Sequence, residues 1–359
     1  MSTWLDALLD APDLPCVSIS VAATQGSAPR EVGARMLVWE QGTAGSVGGG
    51  NLEFQAIDIA RQHLRGGATT GAHLHRFALG PGLGQCCGGV VVLLFETVTG
   101  AATCFATLHE LLSKRRTAAL ISIVDGSHAD SRLLVSDATC LGELVDERLF
   151  TSLVDEARDM LRTRGASQLC TLNDRNGRPV QAFVQTFYPS DLQMLVFGAG
   201  HVGKALVPLL AQLPCEISWI DTRADEFPGT ASANVRRIDS SAPEYCVDDA
   251  SPGSFYIVMT HSHALDQAIC ERILRRGDFS YCGLIGSRSK RLKFEKRLHA
   301  RGISAPTLKR LVCPIGVAGI NGKQPAEIAV AVAAQLLIEY GQRQVNEAQP
   351  PHPVVVRGE

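Results

Sequence analysis

The hexapeptide Gly198-Ala199-Gly200-His201-Val202-Gly203 limits how this chain can fold more than any other feature. It follows an apolar run, 194–197, that reads as a strand, and it opens a stretch, 202–213, that reads as a helix. A G-x-G-x-x-G in that setting implies a tight strand-to-helix turn. Two glycines let the backbone approach an anion, the third lets helix and strand pack closely, and the helix N-terminus offers free N–H groups at its positive end. Further strand-like runs at 217–220, 255–260 and 281–285 alternate with helical stretches at 264–275 and 289–299. That alternation predicts a doubly wound parallel sheet, a Rossmann-like arrangement. Asp221 ends the second run about 20 residues beyond the glycines, where an acid accepts hydrogen bonds from ribose hydroxyls. It favours NAD over NADP, while the nearby Arg223 keeps the phosphorylated form open.

Other strand ends should gather at the same crevice. One brings His261, Ser262 and His263; another brings Gly286, Ser287 and Arg288. His261 and His263 make half a metal site, with Asp266 the nearest third donor; the plainer reading is two histidines lining a cleft. Arg288 reads either as an anion clamp or as a solvated helix start.

At 359 residues the chain suits two domains rather than one. The break falls at Tyr188-Pro189-Ser190-Asp191. Residues 1–188 read as an N-terminal α/β domain, with strands at 16–24, 35–40 and 90–96 and helices at 52–64, 104–114 and 147–164. Residues 191–345 read as the Rossmann-like domain, and 346–359, which is Pro-rich, as a disordered tail. No internal repeat is visible. Apolar residues make up 45% of the chain, enough for sizeable cores, and the net charge of -2 supports neither nucleic acid nor a membrane surface as partner. The first residues carry Asp6, Asp10 and Asp13 with no basic segment, and no run approaches the roughly 18 apolar residues of a membrane span, so a cytoplasmic location is expected. Eleven cysteines without a CxxC pair read as reduced thiols rather than a zinc ribbon.

Three N-terminal segments stand out. Residues 24–30 form a turn of small residues containing Ser27 and ending in Arg30. Residues 45–53 place Gly48, Gly49 and Gly50 ahead of Glu53, a loop able to present consecutive N–H groups to a phosphate or carboxylate, or simply a tight strand–helix connection. Residues 82–89 carry Gln85, Cys86 and Cys87 among glycines, a flexible setting in which a thiol suits a thiophilic metal or a persulfide. Buried structural cysteines at a strand entry are the plainer alternative.

Together these segments resemble the XdhC/CoxI family of molybdoenzyme maturation factors, over 24–36, 46–53, 85–89, 197–203, 259–266, 284–298 and 313–329. Ser262 and Gln185 depart from the family pattern, where an acid is common. The resemblance implies a cofactor chaperone rather than an enzyme. Such a protein binds the molybdenum cofactor, protects it while a cysteine desulfurase supplies sulfur, and delivers it to the molybdenum-binding subunit of a xanthine dehydrogenase. Phosphate contacts would come from Ser27, Arg30 and the glycine loops, and contact with molybdenum or sulfur from Cys86 or Cys87, with Cys86 favoured. A homodimer is expected. The alternative is an NAD(P)-dependent oxidoreductase using the glycine fingerprint, though no proton donor for a substrate stands out.

Overall fold

The computed structural model describes residues 3–66, 71–80, 88–98, 103–124 and 132–348. The chain divides into two compact units, Met1–Pro189 and Ser190–Glu359.

The first unit runs α1 (Thr3–Asp10), β1 (Cys16–Gln25), β2 (Arg35–Val38), β3 (Thr43–Gly45), α2 (Gly50–Gly66), β4 (Ala72–Ala78) and β5 (Val90–Val98). It continues with α3 (Thr103–Ser113), β6 (Ala118–Ile123), β7 (Arg132–Val135), β8 (Cys140–Leu141), α4 (Glu147–Thr163), β9 (Gln168–Asn173) and β10 (Pro179–Phe187). Each half folds into a five-stranded antiparallel sheet, in the orders β3-β2-β1-β5-β4 and β8-β7-β6-β10-β9. Helix for helix and strand for strand, the second half repeats the first. The expectation that the chain holds no repeat is therefore corrected.

Strand alternation explains the layering. Val17, Ile19 and Val21 face Leu52, Ala56 and Ala60 of α2, and Ala119, Ile121 and Ile123 face Leu149, Leu153 and Ala157 of α4. The opposite faces meet: Cys16, Leu37 and Val98 pack with Ala118, Leu120 and Leu134. The result is helix on sheet on sheet on helix.

The repeat is exact in register at one buried polar cluster. Arg35 opens β2 opposite Ser20, and Arg132 opens β7 opposite Ser122. Glu96 on β5 lies opposite Ser18, and its counterpart Gln185 on β10 lies opposite Leu120. The bonds cross between repeats. Arg35 donates to Gln185 Oε1 at 2.6 Å, while Arg132 donates to Glu96 Oε1 at 3.1 Å and to the Thr97 carbonyl at 3.0 Å. Gln185 in turn donates to the Gly33 carbonyl at 2.7 Å. Trp4 covers the Arg35 guanidinium at 4.7 Å, Phe105 covers that of Arg132 at 5.9 Å, and the two rings meet edge-on at 6.1 Å. Burial pushes the Arg35 guanidinium down to about 10 against the opposing pull of Glu96.

In the second unit, β11 (Gln193–Phe197), α5 (His201–Leu210), β12 (Glu216–Asp221), β13 (Val235–Asp239), β14 (Phe255–Val258), α6 (His263–Arg276), β15 (Tyr281–Leu284), α7 (Arg288–Ala300), α8 (Ala305–Lys309), β16 (Leu311–Val312) and α9 (Pro325–Ala348) follow in turn. The sheet order is β13-β12-β11-β14-β15-β16, and every pairing is parallel. The expected doubly wound sheet is borne out. One core cluster includes residues of α6 and α7 and the other residues of α5 and α9, so both faces are covered, as a parallel sheet requires. The strand order reverses beside β11, which places a ligand crevice at that point. Edge strand β13 escaped the sequence reading because Arg236 and Arg237 break its apolar run. The expected tail, 346–359, lies outside the described residues apart from the last turn of α9. No helix among the described residues is long and apolar enough to cross a membrane.

Removing the one carboxylate from the crossed cluster strands a buried cation, Arg35, and a half-buried one, Arg132. Glu96→Gln is expected to destabilise the first unit by about 3–5 kcal/mol in urea unfolding of the full chain.

Candidate functional site

In the second unit the predicted residues collect at the carboxyl ends of the parallel strands. Gly198 adopts φ +120°, and a methyl group there would sit 2.3 Å from the Met259 carbonyl oxygen. One at Gly203 would sit 2.2 Å from the Gly198 carbonyl oxygen, which also accepts the Trp219 indole N–H at 3.0 Å. Gly200 differs: a methyl group there would meet nothing within 4 Å. Packing demands the first and third glycines, and the middle one leaves open space at the start of α5, where His201 is exposed.

Asp221 has a different job from the ribose acceptor the spacing suggested. Its Oδ2 accepts the Ala199 N–H at 2.6 Å and Arg223 Nη2 at 3.0 Å. Its Oδ1 accepts the Arg223 backbone N–H and Nε, both at 3.0 Å. A carboxylate offers about four acceptor positions, so none is left for a ribose. Burial alone would push this carboxyl up; the bonds from Arg223 and the Ala199 N–H outweigh it and hold it below the ordinary range. Asp221 thus pins the glycine turn to the end of β12.

Asp266 likewise is not a metal donor. It is buried at the start of α6, accepting the Thr260 N–H at 3.0 Å, the Thr260 hydroxyl at 2.8 Å and Lys290 Nζ at 2.7 Å. Lys290 also donates to the Ile285 carbonyl at 2.9 Å. Gly286 gives this side chain passage, since a methyl group there would lie 2.5 Å from Lys290 Cδ. Lys290 escaped the sequence reading, which singled out only Arg288 at the start of this basic helix. Ser262 caps α6 through the Leu265 N–H at 3.4 Å, and Ser287 caps α7 through the Lys290 N–H at 3.2 Å. His261, His263 and Arg288 stay exposed. Of these, His261 joins Ile220, Asp221, Thr222, Pro243, Thr260 and Leu265 around a narrow, shallow crevice at the strand ends. Among the described residues no group of three or more His, Cys, Asp or Glu side chains is placed to hold a metal.

In the first unit the three unusual segments converge. Ser27 bridges to Gly88, and a methyl group at Gly89 would lie 2.0 Å from the Ser27 carbonyl oxygen. Gly48, at φ +135°, packs against Pro29, with 2.5 Å separating an added methyl from Pro29 Cγ. Ser27 and Arg30 therefore sit beside both glycine segments. Gln85, Cys86 and Cys87 lie outside the described residues, immediately before Gly88 in the chain.

The loop at 46–50 does not stand open, as its glycines suggested. Glu53 Oε2 accepts the Ser46 hydroxyl at 2.7 Å, the Gly49 N–H at 2.9 Å and the Val47 N–H at 3.2 Å. Burial pushes the Glu53 carboxyl up, and these donors together bring it below the usual range. Arg30 pairs with Glu31 at 3.0 Å and feels Glu53 more weakly. In the second repeat the matching helix α4 has no glycine cluster; Asp146 caps it through the Arg148 and Leu149 N–H groups, both at 3.1 Å. The second repeat thus opens its covering helix without glycines, whereas Gly48, Gly49 and Gly50 of the first all adopt positive φ.

A model of the XdhC Rossmann domain matches residues 194–336, and a model of the XdhC and CoxI family matches residues 10–78. Together they span more than half of the chain. The chain belongs to the XdhC and CoxI family. Uncharacterized protein YqeB of Escherichia coli (strain K12) is 25% identical over 268 residues, 67% of this chain and 48% of that protein. The chain thus spans about half the length of this curated relative. A crystal structure of a xanthine dehydrogenase from Bacillus halodurans is similar in fold, with a TM-score of 0.71 at 21% identity over 98% of each chain. The family matches take in Ser27, Arg30, the loop around Glu53, the glycine turn and Arg288.

The same unit holds a titratable group that sequence reading passed over. His63 of α2 meets His73 of β4 with ring centroids 4.5 Å apart, and His73 stacks on Phe95 at 5.4 Å. Burial, aided by His63 and His75, lowers His73 to about 4. The unfolded chain then binds the extra proton, so stability is present above about 6.5 and falls as pH drops towards about 4. His73→Phe is expected to flatten this decline in the thermal midpoint between those limits. In the second unit, Gly200→Ala is expected to leave stability within about 0.5 kcal/mol of the parent, while Gly203→Ala loses about 1–3 kcal/mol by overpacking; chemical unfolding of both variants checks the contrast.

Proposed function

We propose that this chain is a maturation factor for a molybdenum hydroxylase of the xanthine dehydrogenase type, carrying the molybdenum cofactor as cargo. The observation that carries the reading is the convergence in the first repeat. Ser27, Arg30, the 46–53 loop and Gly88–Gly89 lie together, and the chain just before Gly88 bears the two adjacent thiols. The donor set fits an anionic group: the Ser46 hydroxyl and the Val47 and Gly49 N–H groups already hold a carboxylate, and the Arg30 guanidinium adds a charge suited to phosphate. The cargo brings its own metal chemistry. This chain contributes phosphate contacts and a soft sulfur near the metal, and it needs no acid–base pair of its own. A cysteine desulfurase as sulfur source, delivery to the client's molybdenum-binding subunit, a cytoplasmic location and a homodimer belong to the same proposal. The glycine turn offers a second anion seat at Gly200. Use of that turn by an NAD-dependent oxidoreductase is disfavoured by Asp221, whose acceptor positions are filled.

Co-expression with a client xanthine dehydrogenase tests the reading. The Cys86→Ser/Cys87→Ser double variant is expected to fold but to leave the client poor in molybdenum, sulfido ligand and activity; full client activation would remove the thiol role. Arg30→Ala is expected to weaken cofactor binding about tenfold, the worth of one charged hydrogen bond, read as pterin fluorescence after oxidation of the purified protein.

A further inference from the structure

We propose that the buried polar cluster between the two sheets of the first unit is a binding site for one small monovalent anion of halide size, seated at Arg35. The duplication exposes the need for it. Arg132 faces the carboxylate Glu96, whereas Arg35, its counterpart, faces the neutral amide of Gln185. The Arg35 side chain is buried, and its Nε and Nη1 have no hydrogen-bond partner within the protein. The hydroxyls of Ser18 and Ser20, fully buried on the same face of β1, have none either.

Among the described residues, the groups that act electrostatically on Arg35 are Glu96, Arg132, Cys104 and Cys16. Burial pushes both thiols up, Cys16 to about 11, so they stay neutral at neutral pH. Glu96 pairs with the half-buried Arg132, so among the described residues the buried Arg35 guanidinium has no carboxylate within ion-pair distance. Buried charges are paired, and orphaned buried donors take up water or an ion. Water would satisfy the donors and leave the charge; a halide satisfies both, accepting from Arg35 and from the two serine hydroxyls. The site supplies the charge that Gln185 does not carry.

Bromide tests this on the full chain. Crystals grown in bromide are expected to show an anomalous peak within hydrogen-bonding reach of Arg35 Nε. In solution, at constant ionic strength with gluconate as the replacement anion, each tenfold rise in bromide or chloride above its Kd is expected to lift the unfolding midpoint by roughly 3–6 °C. Gln185→Glu supplies the missing charge directly and is expected to abolish that dependence. An empty anomalous map at Arg35 overturns the proposal, and so does a halide dependence that Gln185→Glu retains. A midpoint indifferent to halide, with ordinary water density at Arg35, assigns the cluster to water and also overturns it. If Gln185→Glu does not fold, the diffraction result on the parent chain decides.

Discussion

The first unit depends on two arginines that reach across to each other's sheet. Apolar contacts between the sheets are non-directional and tolerate sliding. A one-residue slip of a strand would turn its buried face outward, and the crossed bonds of Arg35 and Arg132 oppose such a slip directly. Each guanidinium finds its acceptor only when both sheets are in register. The aromatic rings of Trp4 and Phe105 close over these cations from α1 and α3. One cluster therefore ties the helices that open each repeat to the strands that follow them.

Local physics was legible in the sequence, and distant physics was not. The glycine fingerprint announced its turn because the steric demands of Gly198 and Gly203 are met by residues within the same strand–turn–helix or an adjacent strand. The duplication was invisible because few residues betray it: an arginine opening β2 and β7, a glycine that closes β3 (Gly45) and follows β8 (Gly142), and a helix of equal length after each. Beyond these and the serine opposite each arginine, the halves share burial pattern, and the glutamate of one half is a glutamine in the other. Asp221 and Glu53 drew notice in the sequence, but their partners did not: Asp221 holds the Ala199 N–H and Arg223, and Glu53 holds donors of its own loop. Sequence spacing shows that a carboxylate is near a glycine loop; it does not count how many of its acceptor positions the fold has already filled. Lys290 shows the converse, a residue in a basic run whose charge is spent inside on Asp266.

The two repeats divide their labour by their loops. Both halves need the arginine, the sheet order and the covering helix, since these make the sandwich. The first alone places a glycine cluster at the head of its covering helix, while the second seals the same place with an aspartate cap. A rigid scaffold with one decorated end is the usual way in which loops acquire binding roles. The second unit follows its own logic, with Asp221 and Asp266 each tying a strand end to the segment beside it and leaving His201, His261 and Arg288 on the rim.

The closed state of the 46–53 loop has a consequence for any guest. The loop keeps its shape because Glu53 occupies it, so an incoming anion meets donors already arranged and loses little freedom in ordering them. That guest also meets a rival tethered four to seven residues away, present at an effective concentration that free solution cannot match. Tethered competition of this kind limits how tightly an anion can be held and speeds its departure once other contacts loosen. A lock would be poorly served by such an arrangement, whereas a carrier that must hand over what it holds would be well served.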